Sequence, residues 1–126
     1  MEKRIEIKVY YEDTDCLGVV YHANYLRFLE RGRTDFIDSL GKSVVEWNRE
    51  GYNFAVYQIE IKFKNAARLG DICRVVTDMA EGGSEYRKKI GQRIELNGKV
   101  ITEAVVDLVC LDTNLELREF PKGLFP

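Results

Sequence analysis

The sequence predicts an α+β domain, one antiparallel sheet of five strands curled around a single long helix. Three observations lead there. Residues 4–11 alternate apolar and polar side chains, the period of a half-buried strand. Residues 24–40 place apolar side chains three or four apart, the period of an amphipathic helix. From residue 57 to 111 the period returns to two, in segments separated by turn signals and with no second long helical pattern. A length of 126 residues suits one domain with one core, here residues 1–126. A strand, a long helix and four strands joined by short turns fit a sheet with the helix packed on one face.

In the first strand Ile5, Ile7, Val9 and Tyr11 share a face opposite Arg4, Glu6 and Lys8. In the helix Tyr25, Leu29, Gly32, Phe36 and Leu40 form the apolar stripe, flanked by Leu26 and Ile37, and Gly41 is the expected stop. Gly32 weakens the helix by about 0.5–1 kcal/mol relative to alanine, so a close approach to a neighbouring element is expected there. Residues 43–50 suit a short second helix ended by Gly51. Tyr57, Ile59, Ile61 and Phe63 alternate with Gln58, Glu60, Lys62 and Lys64, and the β-branched run 72–80 suits another strand. Glu81-Gly-Gly-Ser-Glu85 reads as a turn, after which Tyr86, Lys88, Ile90, Gln92, Ile94 and Leu96 share a face. Asn97-Gly98 is a hairpin signal, because a type I′ turn needs positive φ at both central residues. Val100–Leu111 is apolar on both faces for much of its length, as in a strand buried from two sides. The last ten residues read as proline-containing coil. A sheet of this size leaves an open edge, which invites pairing with a second copy.

Composition excludes several functions. The formal charge of −2 offers no electrostatic footprint for nucleic acid or an anionic membrane. Three cysteines (Cys16, Cys73 and Cys110) without CxxC spacing fit neither a disulfide framework nor a zinc site, and a single histidine excludes most histidine-rich metal centres. There is no long apolar run at the N-terminus and none long enough to span a bilayer, so a reducing cytoplasm is the expected location.

One stretch stands apart: Glu12-Asp-Thr-Asp-Cys-Leu-Gly-Val-Val-Tyr-His-Ala-Asn-Tyr25, with two aspartates two apart (Asp13 and Asp15) and the only histidine in an otherwise apolar turn ahead of the long helix. The run from Tyr10 to Phe36 resembles the hotdog-fold acyl-CoA thioesterases, in the branch of 4-hydroxybenzoyl-CoA thioesterase and the YbgC-type proteins. The match continues through KFKNAARLGD (62–71), the Asn-Gly hairpin and EAVVDLVCLD (103–112). The resemblance implies a hotdog fold, a five- or six-stranded antiparallel sheet wrapped around the long helix, with an edge-to-edge dimer often stacked into a tetramer, and an active site at the dimer interface beside the helix N-terminus. It places the catalytic aspartate at Asp15 and implicates His22.

Thioester hydrolysis needs a nucleophile for the carbonyl carbon and stabilisation of the carbonyl oxygen as it gains charge. The first N–H groups of a helix lack partners within it and carry the positive end of its dipole. The backbone N–H of His22, with Ala23 or Asn24, is the expected oxyanion site, and Gly18 lets the loop turn and the substrate approach. Asp15 can act as general base toward water or attack directly to form a mixed anhydride. The His22 side chain is either a catalytic group that orients water or the thioester, or a structural one. Cys16, Leu17, Val19 and Val20 are expected to wall Asp15, with Cys16 as a packing residue. Asp13 is expected to be a loop or structural carboxylate, and Glu30 to tune position or pair with a base.

No separate cofactor is expected, because coenzyme A enters as part of the substrate. Its phosphates want cations. The candidates are Lys62, Lys64, Arg68, Arg87, Lys88, Lys89 and Arg93, with Arg118 and Lys122 beyond them. Tyr21, Tyr25, Phe28, Val56 and Tyr57 are candidates for the acyl pocket. The rival readings are a hotdog module that binds an acyl thioester or a protein partner without turnover, and a hotdog dehydratase, against which the Asp-Thr-Asp-x-x-Gly element favours hydrolysis.

Overall fold

The computed structural model describes residues 1–126. Its strands are β1 (Lys3–Lys8), β2 (Asn53–Phe63), β3 (Ile72–Ser84), β4 (Arg87–Leu96), β5 (Lys99–Leu111) and β6 (Leu117–Arg118); its helices are α1 (Asn24–Asp38) and α2 (Val44–Arg49). The strands form one antiparallel six-stranded sheet in the order β1-β3-β4-β5-β2, with β6 pairing the end of β5. This is the sheet-around-helix architecture the sequence predicts. The register sets one face against α1. Ile90, Gln92 and Ile94 of β4 pair with Val106, Ala104 and Thr102 of β5 on that face, and all six are buried.

The buried stripe of α1 comprises Tyr25, Phe28, Leu29, Gly32, Arg33, Phe36 and Ile37. Relative to the predicted stripe it gains Phe28 and Arg33, while Leu26 is 39% exposed. At Gly32 the expected close approach is to β3 and β4. A Cβ there would lie 2.6 Å from Val75 Cγ1, 2.9 Å from Thr77 Oγ1 and 3.0 Å from Gln92 Nε2. Beside it the Gln92 side chain donates to Leu29 O (2.8 Å) and Thr77 Oγ1 (2.9 Å) and accepts from Arg33 (3.1 Å). Every buried polar group of that seam on Gln92 therefore has a partner.

Three segments depart from the sequence reading. The first strand stops at Lys8, and a turn of 3-10 helix, Tyr11–Asp13, leaves Tyr11 83% exposed. Glu81–Ser84 is not a turn but the end of β3. Gly82 and Gly83, at φ 99° and 95°, take up an irregularity in the ladder after Met79, and a side chain on Gly83 would meet Arg87 O at 2.4 Å. The C-terminal tail is not loose coil. Phe120 stacks on Phe54, Phe125 stacks on Phe36, and Phe120 and Leu124 are buried. The Asn97-Gly98 turn has positive φ at both residues, 52° and 78°, as predicted.

Candidate active site

Two backbone ladders hold the loop between β1 and α1. In the first, Asp15 N–H donates to Val19 O and Tyr21 N–H to Asp13 O, both at 2.9 Å, with Gly18 at φ 78° turning the chain between them. In the second, Val20 N–H donates to Ala67 O (2.9 Å) and Leu69 N–H to Gly18 O (3.3 Å). Ala67 N–H in turn donates to Tyr25 Oη at 3.0 Å. The segment 64–71, recognisable in the sequence only as part of a matching pattern, is thus a brace between the loop and the foot of α1. Burial pushes the Tyr25 hydroxyl above the usual tyrosine range, against the lowering effect of the Ala67 N–H.

The tip of α1 is uncapped. Ala23 precedes the helix without a side-chain cap, and the first turn holds no acid. Asn24 N–H donates to Tyr21 O at 2.8 Å, whereas the His22 and Ala23 N–H groups have no acceptor within the chain. Of the three expected oxyanion donors, Asn24 is therefore corrected: the turn begun at Tyr21 already engages its amide. Its side chain instead donates to Asp13 Oδ1 at 2.7 Å. Two adjacent free N–H groups at the positive end of a 15-residue helix form a ready anion-binding site.

Asp15 sits half-buried at the turn of the first ladder. Its Oδ1 accepts the Leu17 N–H at 2.8 Å, and its second carboxylate oxygen has no partner within the chain. The expected apolar wall is partial. Val20 is buried, but Leu17 is 76% exposed and Cys16 is exposed rather than packed, because the turn carries both outward. The His22 ring is exposed, with its centroid 4.6 Å from Tyr21 and 6.1 Å from Phe63. Phe63, which also contacts Tyr25 at 5.8 Å, belongs to this aromatic surface, whereas strand alternation marks it only as one residue of a face.

The expected acyl pocket does not assemble within one chain. Tyr25 and Phe28 are 3% and 0% exposed and belong to the core. Tyr21 is 49% exposed beside His22, while Val56 and Tyr57 lie on β2 at 46% and 62% exposure. Tyr57 is the extra residue of a β-bulge, with the Arg87 guanidinium 4.4 Å from its ring. Six residues of strand, about 20 Å, separate it from Phe63.

The cations also divide. Arg87 and Lys89 both bind Asp107, at 2.9 and 3.0 Å, Lys64 pairs with Glu103 at 3.0 Å, and Arg93 pairs with Glu95 at 2.7 Å. These four candidates for the coenzyme A phosphates have carboxylate partners within the chain. Lys62, Arg68 and Lys88 have none within ion-pair distance. Arg68 lies closest to the loop, bridged to Val19. A groove of ≈ 860 Å³ lies elsewhere, lined by residues such as Glu60, Asp78, Arg93 and Glu103. Its β3–β5 residues Asp78, Gly91 and Val105 alternate with those that face α1, so it runs over the sheet's far side. The helix tip is an open surface by comparison.

The chain is 36% identical over 121 residues to an acyl-CoA thioesterase, YbgC, of Haemophilus influenzae, covering 92% of this chain and 86% of that protein. It is 31% identical over 122 residues to an acyl-CoA thioester hydrolase, YbgC, of Escherichia coli O6:H1, covering 96% and 91%. Among solved structures, a probable thioesterase from Bartonella henselae superposes with a TM-score of 0.90 at 28% identity, covering 96% of this chain and all of that one. The model of the thioesterase-like superfamily matches residues 9–124. The family match and these similarities extend over nearly the whole length, and the chain belongs to the thioesterase-like superfamily.

Proposed function

We propose that the protein is an acyl-CoA thioesterase in which the His22 and Ala23 N–H groups receive the thioester oxygen and Asp15 delivers the attack. The single observation that carries this reading is the pair of unengaged backbone donors at an uncapped helix tip, a short ladder away from a carboxylate with one free oxygen. Water adds to the carbonyl carbon as Asp15 takes its proton. The oxygen gains negative charge against the two donors, each worth about 2.7–4 kcal/mol in such sites. The carbon–sulfur bond then breaks, coenzyme A leaves as thiolate and is protonated, and the free acid remains. Direct attack by Asp15, giving a mixed anhydride that water opens, uses the same geometry. The relatives named for acyl-CoA hydrolysis support the substrate class.

The active unit is a homo-oligomer, a dimer or a tetramer made of two such dimers, in the cytoplasm. β2 is an edge strand with Val56, Tyr57 and Phe63 exposed. Antiparallel pairing of two β2 strands about Glu60 would bring Val56 and Tyr57 of one copy toward the Phe63 and His22 surface of the other, closing the acyl site that one chain leaves open. No helix is long and apolar enough to cross a membrane. Arg68, Lys62 and Lys88 remain available for the nucleotide phosphates.

The test is a panel of acyl-CoA thioesters graded by chain length and aromatic character, with thiol release monitored. The native protein should release thiol, and Asp15→Asn should lose most of that rate with its oligomer unchanged. A native rate in Asp15→Asn would remove Asp15 from the chemistry, and a native protein inert on every thioester would leave a binding module.

A further inference from the structure

Helix tips are ordinarily held by a side-chain oxygen that accepts the first free N–H groups. At α1 such a cap would occupy the donors that a thioester oxygen needs, so the tip must be held in another way. Asp13 supplies it. The residue is 5% exposed and lies in a position from which both carboxylate oxygens reach backbone or side-chain donors outside the tip. Oδ1 accepts from Asn24 Nδ2 at 2.7 Å, Oδ2 accepts from Tyr10 N–H at 2.8 Å, and its carbonyl accepts from Tyr21 N–H at 2.9 Å. One buried residue therefore ties the end of the first strand, the loop and the first residue of α1 together. No cation lies within ion-pair distance of it, and the positive end of the helix dipole compensates its charge.

The geometry points to Asp13 as a positioning residue for thioester hydrolysis: through Asn24 it fixes the tip of α1 so that the His22 and Ala23 N–H groups stay both aimed and unoccupied. This inference rests on the reading of those amides as the oxyanion site. It assigns Asp13 no contact with substrate. The second brace, Ala67 N–H on Tyr25 Oη, holds the helix one residue further along, so the Asp13–Asn24 bond is the side-chain contact that reaches the first helical residue, beside the backbone bond of Asn24 N–H to Tyr21 O.

Asp13→Ala and Asn24→Ala should each lower kcat by about 10- to 100-fold with KM nearly unchanged, because displacing reacting groups by ~1 Å costs about that much. The exchanged pair Asp13→Asn with Asn24→Asp restores the contacts. The new amide at position 13 offers its carbonyl to Tyr10 N–H and its NH2 group to the new carboxylate at position 24. The exchanged protein should recover kcat to within about three-fold of native. Folded single variants with native kcat would overturn the proposal, and so would an exchanged protein that regains thermal stability but not kcat. If the native protein releases no thiol, the activity reading falls by itself, and the amide NMR signals of His22 and Ala23 decide the anchoring. Signals shifted in the single variants and restored in the exchange support it; signals unmoved by Asp13→Ala overturn it.

Discussion

Replacing Gly32 with alanine separates helix propensity from packing, because the two push in opposite directions. On propensity alone Gly32→Ala should stabilise α1 by about 0.8–1.0 kcal/mol. The added Cβ would sit 2.6 Å from Val75 Cγ1, 2.9 Å from Thr77 Oγ1 and 3.0 Å from Gln92 Nε2. Carbon atoms in contact prefer ~3.5–4.0 Å, so helix or sheet must move by about 1 Å. Overpacking of this kind costs ~1–3 kcal/mol. The same movement pulls on the Gln92 side chain, whose NH2 group bonds Leu29 O and Thr77 Oγ1. A buried polar group that loses its partner costs ~1–3 kcal/mol more. The sum favours a net destabilisation of about 1–5 kcal/mol, which corresponds to a fall in Tm of several degrees or more for a domain of this size. Thermal unfolding at fixed protein concentration reads it directly. An unchanged or raised Tm would show that α1 does not approach the sheet as closely as described. Because the displacement is carried along a rigid helix, thiol release should fall together with Tm.

Three further outcomes follow from other parts of the molecule. His22→Ala keeps the backbone donor and removes an exposed ring, so thiol release should drop less than in Asp15→Asn; an unchanged rate assigns the ring a structural role. Burial raises the Asp107 carboxyl, but hydrogen bonds and charge from Lys89 and Arg87 outweigh it and hold it below the usual carboxylate range. A depressed carboxyl contributes stability that is complete above the ordinary value of ~3.9 and is lost as pH falls through the lower folded value. Acid unfolding followed by circular dichroism should therefore lose that limb in Asp107→Asn, and an identical acid profile would count against the Asp107 cluster. Phe120→Ala removes a ring stacked at 5.8 Å on Phe54 and should cost about 3 kcal/mol in urea unfolding, where a tail of loose coil would give almost nothing.

The fold was legible because its main signals are local. Period two, period 3.6 and one Asn-Gly turn are properties of neighbouring residues, and they place β1, α1, β2, β4 and β5 to within a few positions. What stayed hidden depends on contacts between distant positions. The glycines at 82 and 83 read as a turn, yet β4 pairs with Gly83 and the two become an irregularity inside a longer strand. Phe120 and Phe125 look like tail residues until Phe54 and Phe36 are brought beneath them. The site divides in the same way. A family pattern points to Asp15 and the helix tip, but which amides are free depends on where the Tyr21 turn begins, and no spacing rule reveals that. Tyr25 and Phe28 look like pocket aromatics in sequence, and the rotation of α1 against the sheet puts them in the core instead. Asp13 reads as one more loop acid until its two oxygens are seen to be occupied.

The position of β5 has a consequence for synthesis on the ribosome. β2 is completed early, yet its only neighbour in the sheet is β5, which lies some forty residues downstream at Lys99–Leu111. A growing polypeptide therefore displays eleven residues of unsatisfied strand, Val56 and Phe63 included, until β5 has been made. Nascent copies on one polysome are exposed to each other along that strand before any of them can close its own sheet.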